Sequence, residues 1–197
     1  YLGIKKFSVL GLSGGGPYAI VCAYKIPNRI KEAVVVSGMG PIYAPGVKEV
    51  PTWSIIRWPG FLQNLILRGM KKIVDTNQEK FFNNMNKSLP EVDLEYIKSP
   101  EMKEVFINVL KEALKSGHKG AKQDAKIYKQ DWGFDLKEVN HKIFLCHGEK
   151  DQNVKIETAK FIANKLHNCE SKFYPNEGHL SLIGNNSLEI FEVFLNN

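Results

Sequence analysis

The chain has 197 residues, 43% of them hydrophobic and 24% charged, with a formal net charge of +6. That length supports one sizeable core, or a core carrying an insertion, and the composition excludes global disorder. Lysines are spread along the chain with no basic block and no recognisable nucleic-acid module, so nucleic acid is not an expected partner.

The first element in chain order is a strand. After Lys5-Lys6, Phe7-Ser8-Val9-Leu10 is a short, mainly apolar run, as suits a strand covered on both faces in a parallel sheet. Glycines crowd the following turn, and Pro17 opens a helical segment, Tyr18 to Tyr24, that Pro27-Asn28 ends. Glu32 to Ser37 reads as a second buried strand, which makes a right-handed parallel crossover unit. From Gly40 to about Asp135 only helical patterns occur. Phe61, Leu62, Leu65 and Ile66 follow Pro59-Gly60 at helical spacing, and Ser99-Pro100-Glu101 starts a helix that reaches Ser116, with Val105, Val109 and Ala113 on one face. Strand and helix then alternate again: a strand over Lys142–His147, a helix over Ile156–Leu166, a strand over Ser171–Tyr174, and a helix over Leu188–Leu195 capped by Ser187. The expected organisation is an α/β core over residues 1–40 with the nucleophile turn, a helical cap over 41–135, and an α/β core over 136–197.

Cys22, Cys146 and Cys169 form no CxxC pair; Cys22 in an apolar helix and Cys146 in an apolar strand read as buried thiols. An odd count without a framework argues for a reducing compartment. No leader pattern opens the sequence, and no apolar stretch approaches the roughly 20 residues of a membrane span. The expectation is a cytoplasmic protein. The Trp53–Leu67 stretch is interrupted by Arg57, Pro59 and Gly60, which argues against a membrane-surface role.

The chemistry points to Gly11-Leu12-Ser13-Gly14-Gly15. A serine hydroxyl is a weak nucleophile that needs a base, an orienting acid and a place for an oxyanion. A sharp strand-to-helix turn exposes it, and the close approach of strand and helix demands small residues two before and two after, here Gly11 and Gly15. The Gly14 N–H then serves the oxyanion beside a helix N-terminus. A dinucleotide fingerprint would need glycine at Ser13, and a P-loop would need Gly-Lys-Ser/Thr, so neither cofactor motif fits. Asp151 follows a buried strand and is the candidate acid, with a local turn aspartate as its bland alternative. His179 follows the next strand and is the candidate base. Ser37-Gly38-Met39-Gly40 offers no carboxylate, and Glu149 is the competitor nearest Asp151. His147, Glu149 and Asp151 lack a fourth ligand at matching spacing, so no metal or cofactor is expected. His118, His141 and His167 read as surface residues.

The order Ser, Asp, His and the segment Gly11 to Ala19 (Gly-Leu-Ser-Gly-Gly-Gly-Pro-Tyr-Ala) resemble the α/β-hydrolase superfamily, in its capped small-molecule branch. Pro27-Asn28-Arg29, Trp132-Gly133-Phe134-Asp135, His147-Gly148-Glu149-Lys150-Asp151 and Gly178-His179 extend the likeness over nearly the whole chain. The resemblance implies a Ser13–His179–Asp151 triad cleaving small carboxylic esters or related acyl compounds through an acyl-enzyme. It also implies a lid in which Trp53, Trp58, Phe61, Leu62, Leu65, Phe81 and Phe82 line an apolar pocket or pack between helices. The rival readings are a non-catalytic small-molecule binding protein or receptor on the same fold, and an inactive fragment. In the family the nucleophile follows the fifth strand, whereas here it follows the first and the chain opens on Tyr1. A longer parent chain is therefore expected, as is an exposed strand edge at Phe7–Leu10 open to self-association.

Overall fold

The computed structural model describes residues 3–87, 89–115, 117 and 119–195. In chain order these form β1 (Phe7–Leu12), α1 (Gly16–Lys25), β2 (Ile30–Val36), α2 (Pro51–Arg57), α3 (Gly60–Thr76), α4 (Gln78–Met85), α5 (Glu91–Tyr96), α6 (Pro100–Ala113) and α7 (Lys119–Tyr128). They continue with β3 (Ile143–Gly148), α8 (Ile156–Lys165), β4 (Cys169–Tyr174) and α9 (Ser181–Glu192). The chain divides into two compact units, one made of the residues up to Val50 and those from Asp131, the other of Pro51–Gln130.

In the first unit β1 to β4 form one parallel sheet in the order β1-β2-β3-β4. Strand β2 shows why the apolar runs lack alternation. Ala33 and Val35 face a core layer with Ala19, Ile20, Ala23, Leu145 and Ile162, while Val34 and Val36 face another with Cys146, Tyr174, Leu182 and Ile190. Helices α1 and α8 thus cover one face and α9 the other, and every β2 position from Ala33 to Val36 is fully buried. Burying such Val side chains stabilises the fold by roughly 1.5–3 kcal/mol each.

Two strands begin earlier than the apolar pattern predicts. β2 takes in Ile30-Lys31 and β4 takes in Cys169-Glu170, because ladder pairing with a neighbour carries polar residues into a strand. α1 starts at Gly16, with Pro17 in its first turn as the sequence predicts. The last helix starts earlier than expected, and its second piece, after a kink at Asn186, corresponds to the helix predicted after Ser187. α9 begins at Ser181 and runs through an irregular Asn186 (φ −118°, ψ 17°), whose Nδ2 donates to the Leu182 carbonyl at 3.1 Å and so bridges the kink. Cys22 is half-buried, whereas Cys146 is buried as expected.

The second unit is helical. Ser99 caps α6 by accepting the Met102 N–H at 3.1 Å, as its sequence predicts. α6 itself ends at Ala113, and the expected end at Ser116 lies outside the described residues. Val105 and Val109 face solvent, and Ile107 is the buried position of that helix, so the apolar face is rotated from the expected one. Buried Gln63 on α3 donates through Nε2 to the carbonyls of Ile56 (2.8 Å) and Trp58 (3.1 Å), satisfying carbonyls at the end of α2. Among the described residues no helix is long and apolar enough to cross a membrane.

Candidate active site

The site is built at the carboxyl ends of the parallel strands, where open α/β sheets place their ligands. Strand β1 ends at Leu12, and Ser13 follows in the left-handed region with φ +53°. A non-glycine residue rarely adopts that conformation, and doing so costs on the order of 1–3 kcal/mol. Two contacts pin the turn. The Met39 N–H, from the loop after β2, donates to the Ser13 carbonyl at 3.0 Å, and a one-turn 3₁₀ segment over Ser13–Gly15 leads directly into α1.

The glycines divide their work differently from the sequence expectation. A Cβ on Gly11 would lie 2.6 Å from the Gly15 carbonyl carbon and 2.9 Å from Ala19 Cβ, so strand and helix do meet there. A Cβ on Gly15 would meet nothing within 4 Å. The second position that must stay small is Gly16, where a Cβ would lie 2.7 Å from the Cα of Gly38. Gly15 contributes its backbone to the crowding, not the absence of its side chain.

Asp151 lies in the turn after β3, its side chain fully buried. Its Oδ1 accepts the N–H groups of Asn153 and Val154, both at 2.8 Å, and its Oδ2 accepts from His179 Nδ1 at 2.7 Å. The local turn bond and the long-range bond, weighed as alternatives in the sequence, are both present on different oxygens. Glu149 is exposed.

His179 follows β4 and is buried at 8% exposure. Its loop is fixed by the Gly178 N–H donating to Ser181 Oγ at 2.8 Å, and by the Lys150 N–H donating to the Glu177 carbonyl at 3.0 Å. Gly148 allows the close approach of these two loops, since a Cβ there would lie 2.5 Å from the Gly178 carbonyl oxygen. His179 Nε2 lies 2.9 Å from Ser13 Oγ. With the carboxylate at Nδ1, that nitrogen carries the proton and Nε2 accepts from the serine hydroxyl. The structure therefore brings Ser13, His179 and Asp151 into one hydrogen-bonded chain inside the first unit. Such a chain can move a proton from a hydroxyl to an imidazole and hold the resulting cation beside a carboxylate.

Two further buried polar residues lie at strand ends; the sequence places His147 only in a rejected metal set and assigns Ser37 no role. His147, the fifth residue of β3, is fully buried, and burial holds its imidazole below the ordinary value despite the opposing Asp151 charge. Ser37, which follows β2, also adopts the left-handed region (φ +48°), and its buried hydroxyl has no hydrogen-bond partner among the described residues. The apolar strands before them advertise only that these positions lie at strand ends. Of the remaining histidines His167 is exposed, His141 is half-buried and His118 lies outside the described residues. Among the described residues no three His, Cys, Asp or Glu side chains gather as a metal set.

In the helical unit Trp53 and Phe82 are buried, whereas Phe61 (70%), Leu65 (68%) and Trp58 (44%) are exposed. Phe81, Phe82 and Phe106 form a ring cluster with centroids 5.5–6.4 Å apart.

No protein-family model matches the chain, and no curated protein matches it in sequence. Solved structures do match in shape. An alpha/beta hydrolase fold protein from Nakamurella multipartita superposes with a TM-score of 0.65 at 20% identity, over 98% of this chain and 71% of that one. MGS-M2, an alpha/beta hydrolase enzyme from a Medee basin deep-sea metagenome library, gives 0.62 at 19% identity, over 100% and 67%. The esterase EaEST from Exiguobacterium antarcticum gives 0.62 at 14% identity, over 95% and 65%. At these identities the likeness is one of fold, and the fold of this chain is that of the α/β hydrolases.

Proposed function

We propose that the protein is a serine hydrolase that cleaves small carboxylic esters or related acyl compounds through an acyl-enzyme. The observation that carries this reading is the continuous chain from Ser13 Oγ through His179 to Asp151, at 2.9 and 2.7 Å. The left-handed Ser13 at a strand-to-helix turn supports it independently.

In this reaction Ser13 Oγ attacks the substrate carbonyl carbon while its proton passes to His179 Nε2. The carbonyl oxygen becomes an oxyanion, and Gly14, directly after the nucleophile at the amino end of α1, supplies an N–H for it. Removing one such donor costs roughly 2.7–4 kcal/mol of transition-state stabilisation. Collapse breaks the bond to the leaving alcohol, which takes the proton from Nε2. Water then repeats the sequence on the acyl-serine and frees the acid. Asp151 keeps the proton on Nδ1 throughout and stabilises the imidazolium.

A fluorophosphonate probe tests the proposal. Stoichiometric labelling of the protein at Ser13, abolished by Ser13→Ala and reduced by His179→Ala, is the expected result. A protein that takes no label but binds small acyl compounds is a binder, and the hydrolase reading then fails.

A further inference from the structure

We propose that His147 is a positioning residue for the acid, clamping the Asp151 turn so that Oδ2 faces the base. The role rests on Asp151 and His179 acting as described under the proposed function, but the geometry behind it stands apart from any substrate.

His147 Nε2 lies 3.0 Å from the Val154 carbonyl oxygen. A carbonyl only accepts, so the Nε2 position carries the proton and donates. Val154 in turn donates its N–H to Asp151 Oδ1 at 2.8 Å. One residue, Val154, is thus held from both sides: its amide by the acid's first oxygen, its carbonyl by His147. The acid's second oxygen, which accepts from His179, lies 3.7 Å from the same His147 Nε2. Asp151 Oδ2 therefore sits between two imidazoles, bonded to one and in electrostatic contact with the N–H of the other.

The remaining ring nitrogen, His147 Nδ1, is buried with no hydrogen-bond partner among the described residues. Leaving a buried polar atom unpaired costs roughly 1–3 kcal/mol. An apolar side chain would avoid that cost but would leave the Val154 carbonyl without its donor. The ring is fully buried, and desolvation pushes its pKa below the ordinary value, which favours a fixed N–H dipole at the carboxylate over a second positive charge. A charged ring at this distance would compete with the imidazolium of His179 for the same oxygen.

The test compares His147→Leu and His147→Gln, because a glutamine amide nitrogen can reach as far as Nε2 and retains the donor. The first readout is the proton NMR signal of the His179 Nδ1–H, which reports the 2.7 Å bond to Asp151 without substrate. The second is the rate of fluorophosphonate labelling, with kcat and KM on p-nitrophenyl acetate. In His147→Leu the NMR signal is expected to shift upfield or vanish, with kcat and labelling rate about 10–100-fold lower, and KM within about twofold. His147→Gln is expected to restore the signal and most of the rate. A folded His147→Leu protein with the native signal and native kcat overturns the proposal. Should His147→Leu not fold, His147→Asn replaces it: the shorter amide falls short of Val154, so equal signals in the Asn and Gln variants overturn it. If the native protein takes no label, the hydrolase reading fails, while the NMR comparison still decides the positioning role.

Discussion

Gly11 and Gly15 touch through backbone: a methyl group on Gly11 would lie 2.6 Å from the Gly15 carbonyl carbon, while one on Gly15 would meet nothing within 4 Å. The two glycines look equivalent in the motif and are not equivalent in space. Gly11→Ala must push the strand and α1 apart, and overpacking of this kind costs typically 1–3 kcal/mol. Gly15 has φ −74° and ψ −20°, which alanine adopts freely, so Gly15→Ala is expected to stay within about 0.5 kcal/mol of the native protein. Urea denaturation of both variants checks this. Equal losses would show that the crowding belongs to the motif as a whole.

Ser13 holds a conformation that L-residues avoid, at φ +53°. If that strain serves the exposure of the hydroxyl, relieving it separates stability from activity. Ser13→Gly and Ser13→Ala both remove the hydroxyl, but only glycine relaxes the backbone. The glycine variant is expected to be more stable than the alanine variant by about 1 kcal/mol, net of the entropy that glycine adds to the unfolded chain. Equal thermal midpoints would mean that the turn is not strained.

Asp151 has two jobs on two oxygens, and a single substitution divides them. Asp151→Asn keeps a carbonyl oxygen to accept the Asn153 and Val154 N–H groups, now at 2.8 Å, so the turn survives. Its amide offers His179 Nδ1 a donor where the base needs an acceptor, which favours the wrong tautomer. Such a change lowers kcat by about 10⁴ in a serine protease, and a loss of about that size is expected here with stability nearly unchanged. Asp151→Ala removes both functions, and its melting temperature is expected to fall as well. Matching activities for Asp151→Asn and the native protein would remove Asp151 from the mechanism.

The residues proposed to carry chemistry were legible because each follows a strand end: Ser13 after β1, Asp151 after β3, His179 after β4. Their mutual contact was not, since 166 positions separate Ser13 from His179 and only the sheet register joins them. Periodicity located the strands but misplaced their ends. Glu170 enters its strand by pairing with Phe144, and Lys31 follows Ile30, whose pairing with Phe7 opens β2; a hydropathy pattern sees neither. The face of α6 was misread because Val105 and Val109 are apolar yet exposed; an amphipathic stripe shows a period, and tertiary packing decides which side is buried. His147 stayed hidden for a related reason. A histidine in an apolar strand gives no signal of its partners, and its bond to Val154 depends on how the Asp151 turn folds back.

His147 also gives the pH dependence of stability a definite sign. Burial holds its imidazole below the ordinary value of 6.5, with the Asp151 carboxylate pulling the other way less strongly. In the unfolded chain the ring protonates near pH 6.5. Below that pH the unfolded state therefore binds a proton that the native state resists, and stability falls with falling pH. The stabilising contribution is complete above about pH 6.5 and is lost as pH descends through the depressed native value. His147→Gln cannot titrate, so its stability should lack this component. The gap between the native and Gln proteins in urea midpoint is expected to be constant from about pH 7 to 8 and to move in the variant's favour below about pH 6. A gap that does not change across that range would mean that the native fold accommodates the protonated ring, and that desolvation of His147 is not felt in folding.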